Sequence, residues 1–392
     1  MTLEIPDAND AVPCPLCGDH EGAVVGEKGR FGMPVRNVCC ATCATVYVSP
    51  RPTAAAMAEY YRSTYRKHYG AVGYIGPDGQ RAAPGDSGYE AALQQWHGPQ
   101  ADNALLLGET RKGASVLEVG CRHGRTLELM RERRGILPFG IEPGETEAEE
   151  ARRAGIDCFT GALEDYEPGS RRFDQIQWFH VLEHVHEPLQ ALLKLRRLLE
   201  PEGRMIIEVP NVYEPYGSLE GNFFQNVHLV SYSPRTLPAL LRRAGFEPTR
   251  VVDGGALFVV ARLNPHVSAA ELPLPYSPAL LGESADDTSW VATRLGNYAN
   301  LEQLAELCRA GRAPEELAPM VLRCLRFPAF TSHLLDVCAL FVERLVARGQ
   351  LDPAIAVLLA VVNGPHPAEV RAEFRTFAGR LGALPEQLAA AG

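Results

Sequence analysis

The chain has 392 residues, of which 46% are hydrophobic, and a formal net charge of −10. That length implies two or three domains around real cores, and the acidic balance argues against a protein that coats nucleic acid, which needs a basic stripe. No run approaches the roughly 20 apolar residues of a membrane span, and the opening Met1-Thr-Leu-Glu-Ile-Pro-Asp7 has neither the basic nor the apolar region of a secretory signal, so the ten cysteines are expected in a reducing cytoplasm, free, catalytic or metal-bound.

Residues 1–13 read as a loose leader, and 14–50 carry two pairs of cysteines. Arg51-Pro-Thr-Ala followed by Met57 to Tyr69 suggests a short helix rich in Tyr, and the Gly, Pro and polar residues of 70–88 a loop or lid. Residues 89–112 have helical periodicity, with Ala91, Leu93, Trp96, Ala101, Leu105 and Leu106 as the expected apolar face. From 115 to 263 strands and helices alternate. Strands are expected at Val116–Gly120, Phe139–Glu142, Asp157–Thr160, Phe173–Val181 and Met205–Val209. Helices are expected at Gly124–Arg133, Gly144–Ala154, Glu187–Leu199 and Ser233–Ala244, the last begun by Ser-Pro and ended by Gly245. Phe246–Val252 and Ala256–Ala261 flank Asp253-Gly-Gly255 as a hairpin that adds an antiparallel edge strand. Such alternation predicts an α/β fold, a parallel sheet covered on both faces. A Pro-rich linker follows, and residues 287–392 read as helical throughout, with a helical hairpin around Val346–Pro353 and Ala354–Val362.

The most informative stretch is Ser115-Val-Leu-Glu-Val-Gly-Cys-Arg-His-Gly124. A buried strand that runs into a glycine turn opening a helix brings bare backbone close to a ligand. Phe139-Gly-Ile-Glu142 then sets a carboxylate at the tip of the next strand, where it can take both hydroxyls of a ribose. The layout serves nicotinamide dinucleotides and S-adenosylmethionine alike. The dinucleotide fingerprint Gly-x-Gly-x-x-Gly is incomplete, because Arg125 follows Gly124, and the acid Glu118 inside the strand is foreign to it.

Val116-Leu-Glu-Val-Gly-Cys-x-x-Gly124 resembles the first motif of class I S-adenosylmethionine-dependent methyltransferases. The resemblance covers about residues 89–263 and implies a seven-stranded Rossmann-like sheet. It implies that Glu118 lies near the methionine amino group, that Gly120, Cys121 and Gly124 form the loop beneath the cofactor, and that Glu142 holds the ribose. Pro143 would touch one face of the adenine, and Leu163, with Ala162, would cover the other. His180 would lie beside the methyl donor. Arg122 departs from the family, standing where a middle glycine is usual. Phe179-His-Val-Leu-Glu-His184-Val-His-Glu-Pro resembles a second family signature. There Glu183 or His184 has two readings, a general base or divalent-ion ligand, and a brace for the next helix. His228, in Phe223-Phe-Gln-Asn-Val-His228, likewise reads as a general base, since imidazole titrates near 6.5, or as a locally bonded helix-entry residue.

Cys14-Pro-Leu-Cys17 and Cys40-Ala-Thr-Cys43 are two Cys-x-x-Cys knuckles with 22 residues between them. Four thiolates suit a structural tetrahedral Zn2+, with Cys39 as the alternative to Cys40. Residues 1–70 hold seven basic and seven acidic residues, so no patch there pulls on phosphate. The module resembles the N-terminal zinc module of bacterial deoxysugar C-methyltransferases and related natural-product methyltransferases. Of that family's Tyr-His-Glu-His stretch this chain keeps the last His, in Gln225-Asn-Val-His228.

The expected organisation is a zinc-binding module (1–70), a lid and helix (71–112), an S-adenosylmethionine-binding domain (113–264), a linker (265–286) and a helical domain (287–392). The expected activity is methyl transfer to an oxygen, nitrogen or carbon of a small molecule in bacterial secondary metabolism or sugar modification. One alternative is a nucleotide-sugar C-methyltransferase. Another is a non-catalytic scaffold that binds a partner protein, or a second copy of itself, through residues 287–392. No nucleic-acid or membrane partner is expected.

Overall fold

A computed structural model describes residues 11–63, 74, 75, 81, 82, 86, 88–282, 288–325, 332–364, 366 and 368–381. The chain divides into two compact units, one of Met1–His20, Pro50–Asn211 and Val227–Ala285, the other of Glu21–Ser49, Val212–Asn226 and Asp286–Gly392.

The first unit is built on a seven-stranded sheet. Its strands are β1 (Ser115–Val119), β2 (Leu137–Glu142), β3 (Asp157–Thr160), β4 (Phe173–Phe179), β5 (Leu199–Pro210), β6 (Phe246–Val252) and β7 (Ala256–Leu263), in the order β6-β7-β5-β4-β1-β2-β3. β1 to β5 run parallel to one another, and β7 runs antiparallel to both β5 and β6. The antiparallel strand predicted for the edge therefore lies one place inside it, with β6 outermost. β1 sits near the middle and is buried on both faces; Val116 and Leu117 are fully inaccessible, as expected of a central parallel strand.

The covering helices are α1 (Tyr89–Leu107), α2 (Arg125–Arg134), α3 (Glu145–Arg153), α4 (Pro188–Leu198) and α5 (Thr236–Arg243). Leu127 and Met130 of α2 and Ala148 and Ala151 of α3 pack with Ala101, Leu105, Val116 and Ile156 in one apolar cluster. Before α5, the Ser233 hydroxyl accepts the Thr236 N–H at 3.1 Å, so the Ser-Pro start signal acts as a cap. Helix α1 departs from the predicted face. Ala92, Leu93, His97, Ala101, Ala104 and Leu105 point inward, whereas Ala91 lies exposed and Trp96 and Leu106 are 54% and 71% exposed. The face is set partly by a polar anchor that periodicity scores as outward: His97 Nδ1 lies 3.0 Å from the Thr126 hydroxyl. In the segment predicted as a loop or lid, Tyr74–Ile75 pairs antiparallel with Arg81–Ala82; most of that segment lies outside the described residues. The predicted Tyr-rich helix is described over Ala54–Ser63.

The parallel register brings the ends of β1, β2, β4 and β5 level. Val119 pairs with Ile141 on one side and Trp178 on the other, and Phe179 pairs with Glu208. Glu142, His180 and Glu208 thus share one edge of the sheet with the loop after β1, the edge at which open α/β sheets bind ligands.

In the second unit, Gly22–Lys28, Pro34–Cys40 and Val46–Val48 pair antiparallel. Val25, Val35, Phe223, Phe224, Val291 and Leu295 share a cluster. Five helices follow among the described residues: α6 (Thr288–Arg309), α7 (Pro314–Cys324), α8 (Ser332–Ala347), α9 (Leu351–Val362) and α10 (Ala368–Arg380). Their apolar stripes cover one another, with Val321, Phe341, Leu345, Val357, Leu358 and Phe374 fully buried. α8 and α9 form the predicted helical hairpin. Among the described residues no helix is long and apolar enough to cross a membrane.

Candidate active site

The loop after β1 is wound tightly. Gly120, Arg122 and Gly124 take left-handed conformations with φ of 71°, 52° and 78°. The Gly120 N–H donates to Ile141 O at 2.7 Å and the Gly124 N–H to Cys121 O at 2.8 Å. A Cβ on Gly120 would lie 2.5 Å from Val181 Cγ2, so this glycine is required by space as well as by φ. Arg122 accepts a conformation that costs an L-residue roughly 1–2 kcal/mol, and its N–H is held in return by Glu142 Oε2 at 2.9 Å. Arg122 therefore takes the left-handed backbone shape that glycine adopts more readily. Cys121 points away from the loop, its sulfur 3.7 Å from that of Cys158. It packs against Gly140, where a Cβ would come within 2.4 Å of it. A hydrogen bond to Cys158 and burial both hold the Cys121 thiol protonated.

Glu142 closes β2, 8% exposed. Its Oε1 accepts the Gly144 N–H at 2.8 Å while Oε2 accepts from Arg122, so two backbone donors fix its plane beside the loop. Pro143 follows it, exposed. The Gly161 N–H donates to Glu142 O at 3.0 Å and ties the turn after β3 to the same edge. On that turn Ala162 is half-buried and Leu163 is 5% exposed.

Glu118 lies inside β1, 5% exposed. Burial pushes its carboxyl up to about 8, and the nearby carboxylates of Glu142 and Glu208 push the same way against the Gln177 hydrogen bond. That bond ends a buried ladder. The Thr110 hydroxyl donates to Gln175 Oε1 at 2.6 Å, Gln175 Nε2 to Gln177 Oε1 at 3.1 Å, and Gln177 Nε2 to Glu118 Oε2 at 2.9 Å. Each amide turns its donor end toward Glu118.

His180, just past β4, also has a positive φ, 53°. Its N–H donates to Glu208 O at 2.8 Å. Its ring nitrogens lie 3.2 Å from Glu208 Oε1 and 3.6 Å from Glu183 Oε1. Burial alone would lower its pKa, but the two carboxylates outweigh it and hold the imidazole at about 10, a cation at neutral pH. Glu183 is 2% exposed. Burial would raise it, yet His180, His184 and His228 draw it down to about 2. His184 Nδ1 donates to Val227 O at 2.9 Å, and burial lowers its pKa. The rings of His184 and His228 meet edge to face with centroids 4.8 Å apart. Glu183, His184 and His228, from two separate stretches of sequence, each offer an atom within 4.8 Å of the others.

The cysteine knuckles each form a tight turn. The Gly18 N–H donates to Cys14 O at 2.9 Å and the Ala44 N–H to Cys40 O at 3.0 Å. The sulfurs of Cys14 and Cys17 lie within 4.8 Å of each other, as do those of Cys40 and Cys43. Cys39 is outside the second pair; its sulfur faces Ala44 O at 3.9 Å, and burial pushes its thiol up to about 12.

Three site residues escaped the sequence reading: Glu208, Gln177 and Gln100. Gln100 Nε2 donates to Glu208 Oε2 at 3.1 Å. A signal existed for Glu208, because a carboxylate inside the apolar run Met205-Ile-Ile-Glu-Val is costly unless paired.

Residues 94–251 match the model of a family described as a methyltransferase domain, and the first unit has the Rossmann-like methyltransferase fold. A tRNA U34 carboxymethyltransferase of Methylococcus capsulatus is 31% identical over 155 residues, which is 36% of this chain and 47% of that protein. A ubiquinone biosynthesis O-methyltransferase of Actinobacillus pleuropneumoniae is 33% identical over 110 residues, 25% of this chain and 47% of that protein. The chain thus spans about half the length of these relatives. Among solved structures, the CcbJ methyltransferase from Streptomyces caelestis aligns with a TM-score of 0.36 and 16% identity, covering 42% of this chain and 88% of that one.

Proposed function

We propose that this chain transfers a methyl group from S-adenosylmethionine to a small-molecule acceptor. The observation that carries the reading is Glu142, a buried carboxylate held by the N–H groups of Arg122 and Gly144 beside the left-handed loop of Gly120 to Gly124. This carboxylate would take the ribose hydroxyls, and Glu118 the methionine ammonium. Pro143, Ala162 and Leu163 would enclose the adenine, with Cys121 shaping the floor of the loop. His180, hydrogen-bonded to Glu208, lines the same end of the sheet beside the methyl donor and is not the side chain that removes a proton. The sulfonium makes the methyl carbon electrophilic, and the protein's main contribution is to align the acceptor with it. His228, beside His184 and Glu183, is the side chain assigned to the acceptor's proton.

The acceptor class follows from charge. One relative carries tRNA in its name, but a net charge of −10 gives this chain little attraction for phosphate. A small molecule, with a nucleotide sugar as the narrower alternative, fits better. The two Cys-x-x-Cys knuckles, Cys14 with Cys17 and Cys40 with Cys43, suit one structural zinc ion.

Isothermal titration with S-adenosylmethionine tests the reading. Binding should be weakened by a few kcal/mol in Glu142→Ala, because hydrogen bonds to a buried charged acceptor are lost. No binding to the wild type would favour the scaffold alternative, and equal affinity in the variant would remove Glu142 from the site.

A further inference from the structure

Two cysteines from different strands of the fold meet under the loop after β1. Cys121 belongs to that loop, and Cys158 lies on β3, the outermost strand at its end of the sheet. Their sulfurs are 3.7 Å apart across 37 positions of sequence. β2 runs between β1 and β3, and Gly140 is its residue at this point. A Cβ on Gly140 would fall 2.4 Å from the Cys121 sulfur and 3.4 Å from the Cys158 sulfur. The missing side chain on the middle strand is therefore what lets the two thiols touch.

The two thiols differ in character. Cys121 is 4% exposed and keeps its proton. Cys158 is 8% exposed, on an edge strand. Its hydrogen bond with Cys121 draws the Cys158 thiol below its ordinary value against the effect of burial, and the Arg152 guanidinium pulls the same way. That guanidinium is fixed beside it: Arg152 Nη1 donates to Cys158 O at 3.1 Å and to the Thr160 hydroxyl at 2.9 Å. A lowered thiol next to a second, protonated one is the pairing of attacking and resolving cysteine in reversible oxidation.

We propose that Cys121 and Cys158 form a reversible disulfide, and that this bond weakens cofactor binding by the loop of Gly120 to Gly124. The oxidant is hydrogen peroxide. The Cys158 thiolate attacks one peroxide oxygen and breaks the O–O bond, giving a sulfenic acid and a hydroxide, which takes up the proton that Cys158 lost. The Cys121 sulfur then attacks the Cys158 sulfur. The S–O bond breaks, and its oxygen leaves as water with the Cys121 proton. Two thiols lose two electrons in all, and one peroxide becomes two waters.

An S–S bond is about 2.05 Å long, so the sulfurs have to close by about 1.6 Å. β3 is held to β2 in register through Cys158 and Gly140, which leaves the loop to move. Cys121 immediately precedes Arg122, whose N–H holds Glu142 Oε2 at 2.9 Å. A pull on Cys121 thus disturbs the carboxylate assigned to the ribose. This effect on the cofactor rests on the methyl-transfer reading, whereas formation of the bond does not.

The test uses the full chain with its knuckle cysteines filled with zinc, reduced and then treated with hydrogen peroxide. Tryptic peptides 113–122 and 154–171 each carry one of the two cysteines. Mass spectrometry without reductant should find these peptides joined, and dithiothreitol should part them. Titration with S-adenosylmethionine should show an affinity about 5- to 150-fold lower in the oxidised protein, the usual span for coupled sites, with recovery on reduction. Cys158→Ser should bind the cofactor like the reduced wild type and ignore peroxide; Cys158→Ala replaces it if the serine variant does not fold. The proposal is overturned if peroxide oxidises other cysteines without joining these peptides, if the joined protein keeps its affinity, or if the Cys158 variant loses affinity equally. Reduced wild type that binds no S-adenosylmethionine would sink the methyl-transfer reading and the cofactor effect with it, while the peptide map would still decide the disulfide.

Discussion

Glu118 offers a sharp test of how the site balances charge. The carboxyl is 5% exposed and its pKa is raised from 4.5 to about 8, chiefly by burial. A folded-state value above the unfolded one means that the neutral acid suits the fold and the carboxylate strains it. Its contribution to stability is full below pH 4.5 and is lost as pH rises toward 8. The penalty is about 1 kcal/mol at pH 5, about 4 at pH 7.5 and nearly 5 at pH 9. These are upper figures, because a relaxing interior with an effective dielectric constant near 20 softens them. Glu118→Gln removes the titration and keeps an oxygen that can accept the Gln177 N–H. The variant should equal the wild type within about 1 kcal/mol at pH 5 and exceed it by several at pH 9. Urea unfolding followed by tryptophan fluorescence at pH 5, 7.5 and 9 measures this. A difference that does not grow with pH would refute the reasoning. Under the proposed reading the cofactor's ammonium group would favour the Glu118 carboxylate, so binding below pH 8 should release a proton. Calorimetry in two buffers of different ionisation heat would detect it.

Two further outcomes are expected. Gly120→Ala combines a φ of 71° with a Cβ 2.5 Å from Val181 Cγ2, and should destabilise the fold by about 2 kcal/mol or more. Val181→Ala should recover part of that in the double variant, and a thermal midpoint unmoved by Gly120→Ala alone would contradict the steric account. Metal analysis should find one zinc per chain. Cys17→Ser and Cys43→Ser should lose it and Cys39→Ser keep it, because Cys39 falls outside the Cys-x-x-Cys spacing and its sulfur faces Ala44 O; retention in Cys43→Ser would exclude the thiolate site.

The sequence by itself determined those features that depend on local chemistry. Alternating apolar runs marked the strands and helices of the first unit, and Asp157–Thr160 and Phe246–Val252 are observed at the predicted limits. The glycine turn after Val119 and the acid at the end of β2 were visible because φ > 0 and a strand-end carboxylate each leave a residue-type signature. Other features belong to the tertiary structure alone. Periodicity placed Trp96 and Leu106 in the core, but the inward face of α1 is fixed by His97 meeting Thr126, a partner in another helix. Gln175 and Gln177 share a face of β4 by the strand's period of two, but the ladder's ends at Thr110 and Glu118 meet them only when β4 lies beside β1. The meeting of His228 with Glu183 and His184 across 44 or more positions is likewise decided by the fold. Backbone preferences act over one to four residues and can be read from a string. Burial and charge act through space, and they acquire values only when the chain has closed around the groups concerned.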